Sequence, residues 1–109
     1  MFGFGKKTHS MSMKEAQLEL DKDKNIVLLD VRTTDEHRQA RIKGSINVPL
    51  DRIPVSLAQK VADKNARIFV YCLSGGRSSQ ACQWMEQNGY TNVTNIGGIN
   101  SWGGPVVKG

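Results

Sequence analysis

The sequence predicts an α/β fold on a mostly parallel sheet, and three observations support that prediction. Two apolar runs, "NIVLLDV" ending at Val31 and "RIFVYC" ending at Cys72, lack polar alternation, as expected of strands covered on both faces. Helical stretches fall between the strand-like runs, which is the alternation of a layered α/β domain. A glycine-containing loop follows directly on the second run, and in such sheets ligands bind beyond the carboxyl ends of the strands.

The opening "MFGFGKKTHS" has a basic pair, Lys6-Lys7, with no apolar stretch behind it. It reads as neither a signal peptide nor a membrane span, although a chain already freed of its signal would look the same. Residues 1–11 read as a flexible leader, with His9 inert. Ser12, with Glu15 three residues on, forms a capping box ahead of "KEAQLEL", where Ala16, Leu18 and Leu20 supply apolar contacts. The first buried strand follows, then a short helix at Thr34 to Arg38 and a short strand at Ile46 to Val48. Next come a helix within Pro54 to Ala62, the strand Arg67 to Cys72, and a helix from Ser78 to Asn88 that Gly89 stops as a C′ glycine. The last strand is Val93 to Ile96. One domain is placed at residues 12–107 with a tail at 108–109, and no repeat or Pro-rich linker interrupts it.

Bulk composition bounds the function. At 109 residues the chain holds one core without staples, and 39% hydrophobic with 23% charged residues is an ordinary globular balance. The net charge of +5 favours anionic ligands and acidic partners. The basic residues are scattered and no aromatic stripe accompanies them, so nucleic acid is not an expected partner, nor is a membrane. Two cysteines are too few for a disulfide framework, and their spacing fits neither a zinc pair nor a C-x-x-C. A reduced, cytoplasmic protein is the expectation, with no metal and no organic cofactor.

The chemistry concentrates in "CLSGGR", Cys72 to Arg77. A strand, a tight loop and a helix N-terminus direct several backbone N–H groups into one concavity, and the helix dipole adds positive potential there. Gly75 and Gly76 let the backbone curl where a β-carbon would clash. Arg77 adds a planar cationic fork at the rim. Leu73, Ser74 and Ser78 complete the lining, Ser78 chiefly as the cap of the following helix and Ser74 through its hydroxyl. A cysteine facing this cradle has its thiolate favoured, and the thiolate is the reactive form. Cys72 therefore reads as a nucleophile rather than as one more buried cysteine.

That loop, C-x-x-G-x-R, resembles the active-site loop of the rhodanese-like domains, a family of sulfurtransferases. Three further segments resemble the family in the right order. They are "LLDVRTTDEH" with Asp30, Val31, Arg32 and Glu36, "RIKGSINVPL" with Ile42, Gly44, Asn47 and Pro49, and "GYTNVTNIGGINSW" with Gly89, Tyr90, Val93, Gly97, Gly98 and Trp102. Two positions depart from the pattern: Arg41 stands where the family usually has a histidine, and His37 where an aromatic often follows the glutamate. The resemblance implies a single rhodanese-like module, with a five-stranded mostly parallel sheet and helices on both faces. It also implies sulfur transfer through a Cys72 persulfide, from an anionic donor such as thiosulfate to cyanide or a thiol. That thiol would belong to a small molecule, a thioredoxin-like protein or a sulfur-carrier protein.

Two other readings use the same residues. A cysteine phosphatase or arsenate reductase also sets Cys, amides and Arg around an oxyanion, but the related phosphatases place five residues between Cys and Arg, whereas four intervene here. The smaller loop suits one sulfur atom. A non-catalytic interaction module is the other alternative, and members of that kind commonly lack the cysteine that this chain retains.

The remaining residues are assigned more plainly. Cys82, beside Ala81 on the helix after the loop, reads as core packing, and Trp84, Met85 and Trp102 as core or rim packing. Asp30 reads as a structural hydrogen-bond acceptor. Arg32 reads as a rim or support residue that either touches substrate or pairs with a surface acid such as Glu36. His37, Arg41 and Lys43 read as solvated surface.

Overall fold

The structure, a computed structural model, describes residues 9–109. Five parallel strands form the main sheet: β1 (His9–Ser10), β2 (Val27–Asp30), β4 (Ile46–Asn47), β5 (Ile68–Cys72) and β6 (Val93–Gly98). Their spatial order is β1-β6-β5-β2-β4, with β5 at the centre. A separate antiparallel pair joins β3 (Arg41–Ile42) to β7 (Val106–Val107). The helices are α1 (Met13–Lys22), α2 (Thr34–Gln39), α3 (Ile53–Lys60) and α4 (Gly76–Gln87).

Every residue of β5 is buried, which is why its sequence shows no polar alternation. The two-residue period of the strand nevertheless divides the core. Ile68, Val70 and Cys72 join one apolar cluster with Ile53 and Leu57 of α3 and Ala81, Cys82 and Met85 of α4. Phe69 and Tyr71 join the other with Met13 and Ala16 of α1 and Leu28 of β2. The helices therefore lie on both faces, as expected, and the face occupied by Cys72 is that of α4. Ser12 caps α1, its Oγ accepting from the Glu15 N–H at 3.1 Å.

The chain runs outward from β2 to the edge strand β4, returns to β5 on the other side of β2, and continues in that direction to β6. The loops that leave β2 and β5 thus diverge, and the carboxyl ends of these two neighbours make the switch point where α/β sheets bind ligands. Among the described residues no helix is long and apolar enough to cross a membrane.

The structure differs from the sequence reading at the amino-terminal end. His9 and Ser10, read as leader, pair with Thr94 and Asn95, and the Met11 N–H donates to the Asn95 carbonyl at 3.0 Å. Both strand residues are exposed. The strand is held by backbone bonds alone, so no apolar pattern announces it. The rest of the leader, residues 1–8, lies outside the described residues.

Candidate active site

Cys72 ends β5, 1% exposed, beside the first turns of α4. Gly75 turns the chain between them at φ +110°, a conformation that side chains disfavour, and its N–H donates to Cys72 Sγ at 3.0 Å. Ser78 is buried, with Oγ 3.5 Å from Sγ. The same hydroxyl lies 2.7 Å from Asn95 Oδ1 and 3.0 Å from the Gly75 carbonyl. Asn95 Oδ1 also accepts the Gly97 N–H at 2.9 Å, which fastens the β6 backbone where its register with β5 slips between Val70 and Tyr71. Burial works against a Cys72 thiolate, but the Ser78 hydroxyl and the backbone N–H groups of Ser78, Gly75 and Ser74 outweigh it, so the thiol is held below its ordinary range.

The loop also requires Gly98, which pairs with Cys72 across the sheet. A β-carbon there would overlap the Leu73 carbonyl and Ser74. Leu73 and Ser74 themselves are exposed, so Ser74 contributes its backbone N–H while its hydroxyl stands at the surface.

Arg77 forms a bidentate pair with Glu36, Nη1 to Oε1 at 2.7 Å and Nη2 to Oε2 at 3.1 Å. Glu36 belongs to a complete capping box: its Oε1 accepts the Thr33 N–H at 2.9 Å while its own N–H donates to Thr33 Oγ1 at 3.2 Å. The Arg77 hydrogen bonds draw the Glu36 carboxyl down to about 2, against a smaller opposing effect of burial. Arg77 is in turn raised by Glu36 first, with the Cys72 thiolate a lesser contributor. A crevice of about 410 Å³ is walled by Val31 and Thr33 beyond β2, Pro49, Leu50 and Asp51 beyond β4, and Arg77 of α4.

Asp30 and Arg32 lie elsewhere. Asp30 sits beside Tyr71 in the sheet register, on the face opposite Cys72. Its Oδ2 accepts from Arg32 Nη2 at 2.7 Å and lies 2.9 Å from His37 Nδ1, and its Oδ1 accepts the Arg32 N–H at 2.9 Å. Arg32 Nη2 further donates to the Ala40 carbonyl at 2.6 Å, and its guanidinium stacks 5.5 Å from the Tyr71 ring centre. Arg32 is 4% exposed, so it is neither at the rim nor in a surface pair with Glu36. It supports the end of β2 from below. His37 is a half-buried partner of Asp30, not solvated surface, and Arg41 reaches back to the His37 carbonyl at 3.4 Å.

These arrangements match a known family. The model of the rhodanese-like domain matches residues 12–104. The chain belongs to the rhodanese-like domain family. Thiosulfate sulfurtransferase PspE of Escherichia coli is 40% identical over 81 residues, 74% of this chain and 78% of the relative. A sulfurtransferase of Allochromatium vinosum is 35% identical over 104 residues, 92% of this chain and 91% of the relative. Among solved structures, a rhodanese with anions from E. coli aligns at TM-score 0.72 with 38% identity, covering 77% of this chain and 99% of that one. The protein is a sulfur-transfer enzyme of rhodanese type.

Within this rhodanese loop, two sequence expectations need correction. Ser78 does not cap α4: the helix starts at Gly76 with Gly75 as its N-cap, because the positive φ at Gly75 completes the turn early and carries Ser78 inward against Sγ. The left-handed conformation falls on Gly75 alone, and Gly76 is the exposed first residue of the helix. Cys82, Ala81 and Met85 are core residues, as expected.

Sequence reasoning missed three contributors. Asn95 arrives from β6 through tertiary structure and leaves no local signal. Glu36 reads in sequence as a partner for Arg32, but counting faces along β2 separates them, since Asp30 shares its face with Leu28 and not with Leu29 or Val31. Gly98 carries a sequence signal only as part of the segment that resembles the family.

Proposed function

We propose that the protein is a thiosulfate sulfurtransferase in which the Cys72 thiolate attacks the outer sulfur of thiosulfate. The S–S bond of the donor breaks, sulfite leaves with its electron pair, and the sulfur stays on Cys72 as a persulfide anion. Cyanide or a thiolate then attacks the terminal sulfur, taking it as thiocyanate or a new persulfide and returning the Cys72 thiolate. One observation supports this reading above the others: Sγ lies 3.0 Å from the Gly75 N–H in a cradle that lowers the thiol. The same N–H groups are placed to receive the negative terminal sulfur after the first step. Lowering the Cys72 thiol favours the ionised nucleophile without a dedicated general base.

Leu73, Ser74, Gly75, Gly76, Arg77 and Ser78 form the substrate-binding loop in this reading. The acceptor is a small thiol, a thioredoxin-like protein or a sulfur-carrier protein, and two free cysteines suit a reducing, cytoplasmic setting. Intact-protein mass spectrometry after thiosulfate treatment tests the scheme. Wild type gains one sulfur that cyanide removes as thiocyanate, and Cys72→Ser gains none. An unmodified wild type would overturn it.

A further inference from the structure

The sequence offers Arg77 as a free cation for an anionic donor, but both arms of its guanidinium are already engaged by Glu36. Glu36 is not a loose surface acid. The capping box fixes its carboxylate through Thr33, and α2 is fastened to the end of β2 by His37 on Asp30 and by Arg32 on the Ala40 carbonyl. Glu36 and Arg77 are each about one-third exposed, so solvent and small ions reach the pair. Arg77 also walls the crevice beyond the ends of β2 and β4. An anion arriving there meets a cation whose charge is largely cancelled.

Resting on the persulfide reading above, we propose that Glu36 is a specificity-determining residue for the sulfur donor. It competes with an anionic donor for the Arg77 fork, so a dianion gains less from Arg77 than the loop motif promises, and donors held mainly by the amide cradle are relatively favoured. Thiosulfate and an alkanethiosulfonate separate the two contributions. Both deliver a terminal sulfur to a thiolate, one releasing sulfite and the other a sulfinate, but thiosulfate carries one more negative charge.

Glu36→Gln isolates the charge, because glutamine serves equally at the third helical position of a capping box and α2 keeps its start. The expected result is a KM for thiosulfate lower by about three- to fivefold, the scale of a partly exposed ion pair. The KM for the thiosulfonate should change much less, and the thiosulfate KM should become more sensitive to salt. In an Arg77→Gln background the same change should have almost no effect on either donor, a non-additivity that a merely structural role would not produce. A thiosulfate KM that stays constant, rises, or falls equally for both donors would overturn the proposal. Calorimetric binding of thiosulfate to Cys72→Ser, with and without Glu36→Gln, measures the competition without turnover. Failure of the persulfide reading would appear as no mass gain in wild type, while this binding comparison still reports on Glu36.

Discussion

Cys72 and Cys82 are the same side chain in two buried places, 1% and 0% exposed, and their thiols are driven in opposite directions. Cys72 is lowered, whereas burial pushes Cys82 up to about 12. Desolvation is the leading influence on both, so burial does not distinguish them. What differs is the backbone around each. Cys72 stands where a strand ends and a helix begins, so N–H groups without carbonyl partners point at its sulfur. Cys82 stands inside α4, where the helix consumes its own N–H groups and the neighbours are Ala81, Met85 and the sheet. Ten residues of separation take the thiol from an amide-lined strand end to a position inside the core.

The largest expected effect comes from removing each thiol in turn. Cys72→Ser should abolish sulfur transfer, and Cys82→Ala should leave kcat/KM within about twofold, since a surface-independent core change away from the site acts mainly on stability. Thiocyanate formation from thiosulfate and cyanide reads both, and comparable losses in the two variants would remove the distinction.

The next largest effect comes from the loop itself. Gly98→Ala places a β-carbon against the Leu73 carbonyl and Ser74, so the loop must move and take its N–H groups off Sγ. A displacement of about 1 Å in a catalytic group lowers activity on the order of a hundredfold. The variant should also alkylate more slowly with iodoacetamide at neutral pH, and unchanged alkylation with normal turnover would show that the amide cradle is dispensable.

Ser78→Ala is milder, because the backbone donors remain. Loss of one hydrogen bond to a charged sulfur, of about 1.5 kcal/mol, lowers the neutral-pH rate about tenfold. Removing a group that lowers the thiol moves it upward, so the alkylation and kcat/KM profiles should both shift to higher pH and recover at alkaline pH. A loss of rate that is the same at every pH would assign Ser78 to packing instead.

How much of this was legible depends on where the stabilising partners lie in the chain. The strands β2 and β5 were legible because burial on both faces leaves continuous apolar runs, and α1 because Ser12 and Glu15 mark its start. The edge strand β1 was not, since His9 and Ser10 contribute backbone bonds and no buried side chain. In the site, Cys72, Gly75 and Arg77 could be read together because one loop carries them. Asn95 and Glu36 could not, because they reach Ser78 and Arg77 only after the sheet is assembled. Arg32 was misdirected for a related reason. A residue just past a strand end turns to either face, and here the buried Asp30 draws it away from Cys72.

A further effect is on stability rather than activity, and it separates the two cysteines by sign. Cys82 keeps its proton in the folded protein up to about 12, while in the unfolded chain a cysteine ionises near ~8.5. Between those values the unfolded state binds fewer protons than the native one, so stability falls as pH rises, by up to ~1.4 kcal/mol per pH unit. Cys72 acts oppositely: its folded thiol is the lowered one, so its contribution is complete above ~8.5 and is lost as pH falls through the folded value. Denaturant unfolding of the reduced protein from pH 8 to about 10.5 compares them. Other alkaline groups, Tyr71 and Tyr90 among them, are common to all variants and cancel in the differences. Cys82→Ala should flatten the alkaline decline relative to wild type even though removing the sulfur lowers stability at neutral pH. Cys72→Ser should leave the alkaline slope unchanged and lower the plateau. Identical slopes in wild type and Cys82→Ala would mean that Cys82 loses its proton as readily folded as unfolded, and the contrast between an activated and a silent thiol would then rest on access to substrate alone.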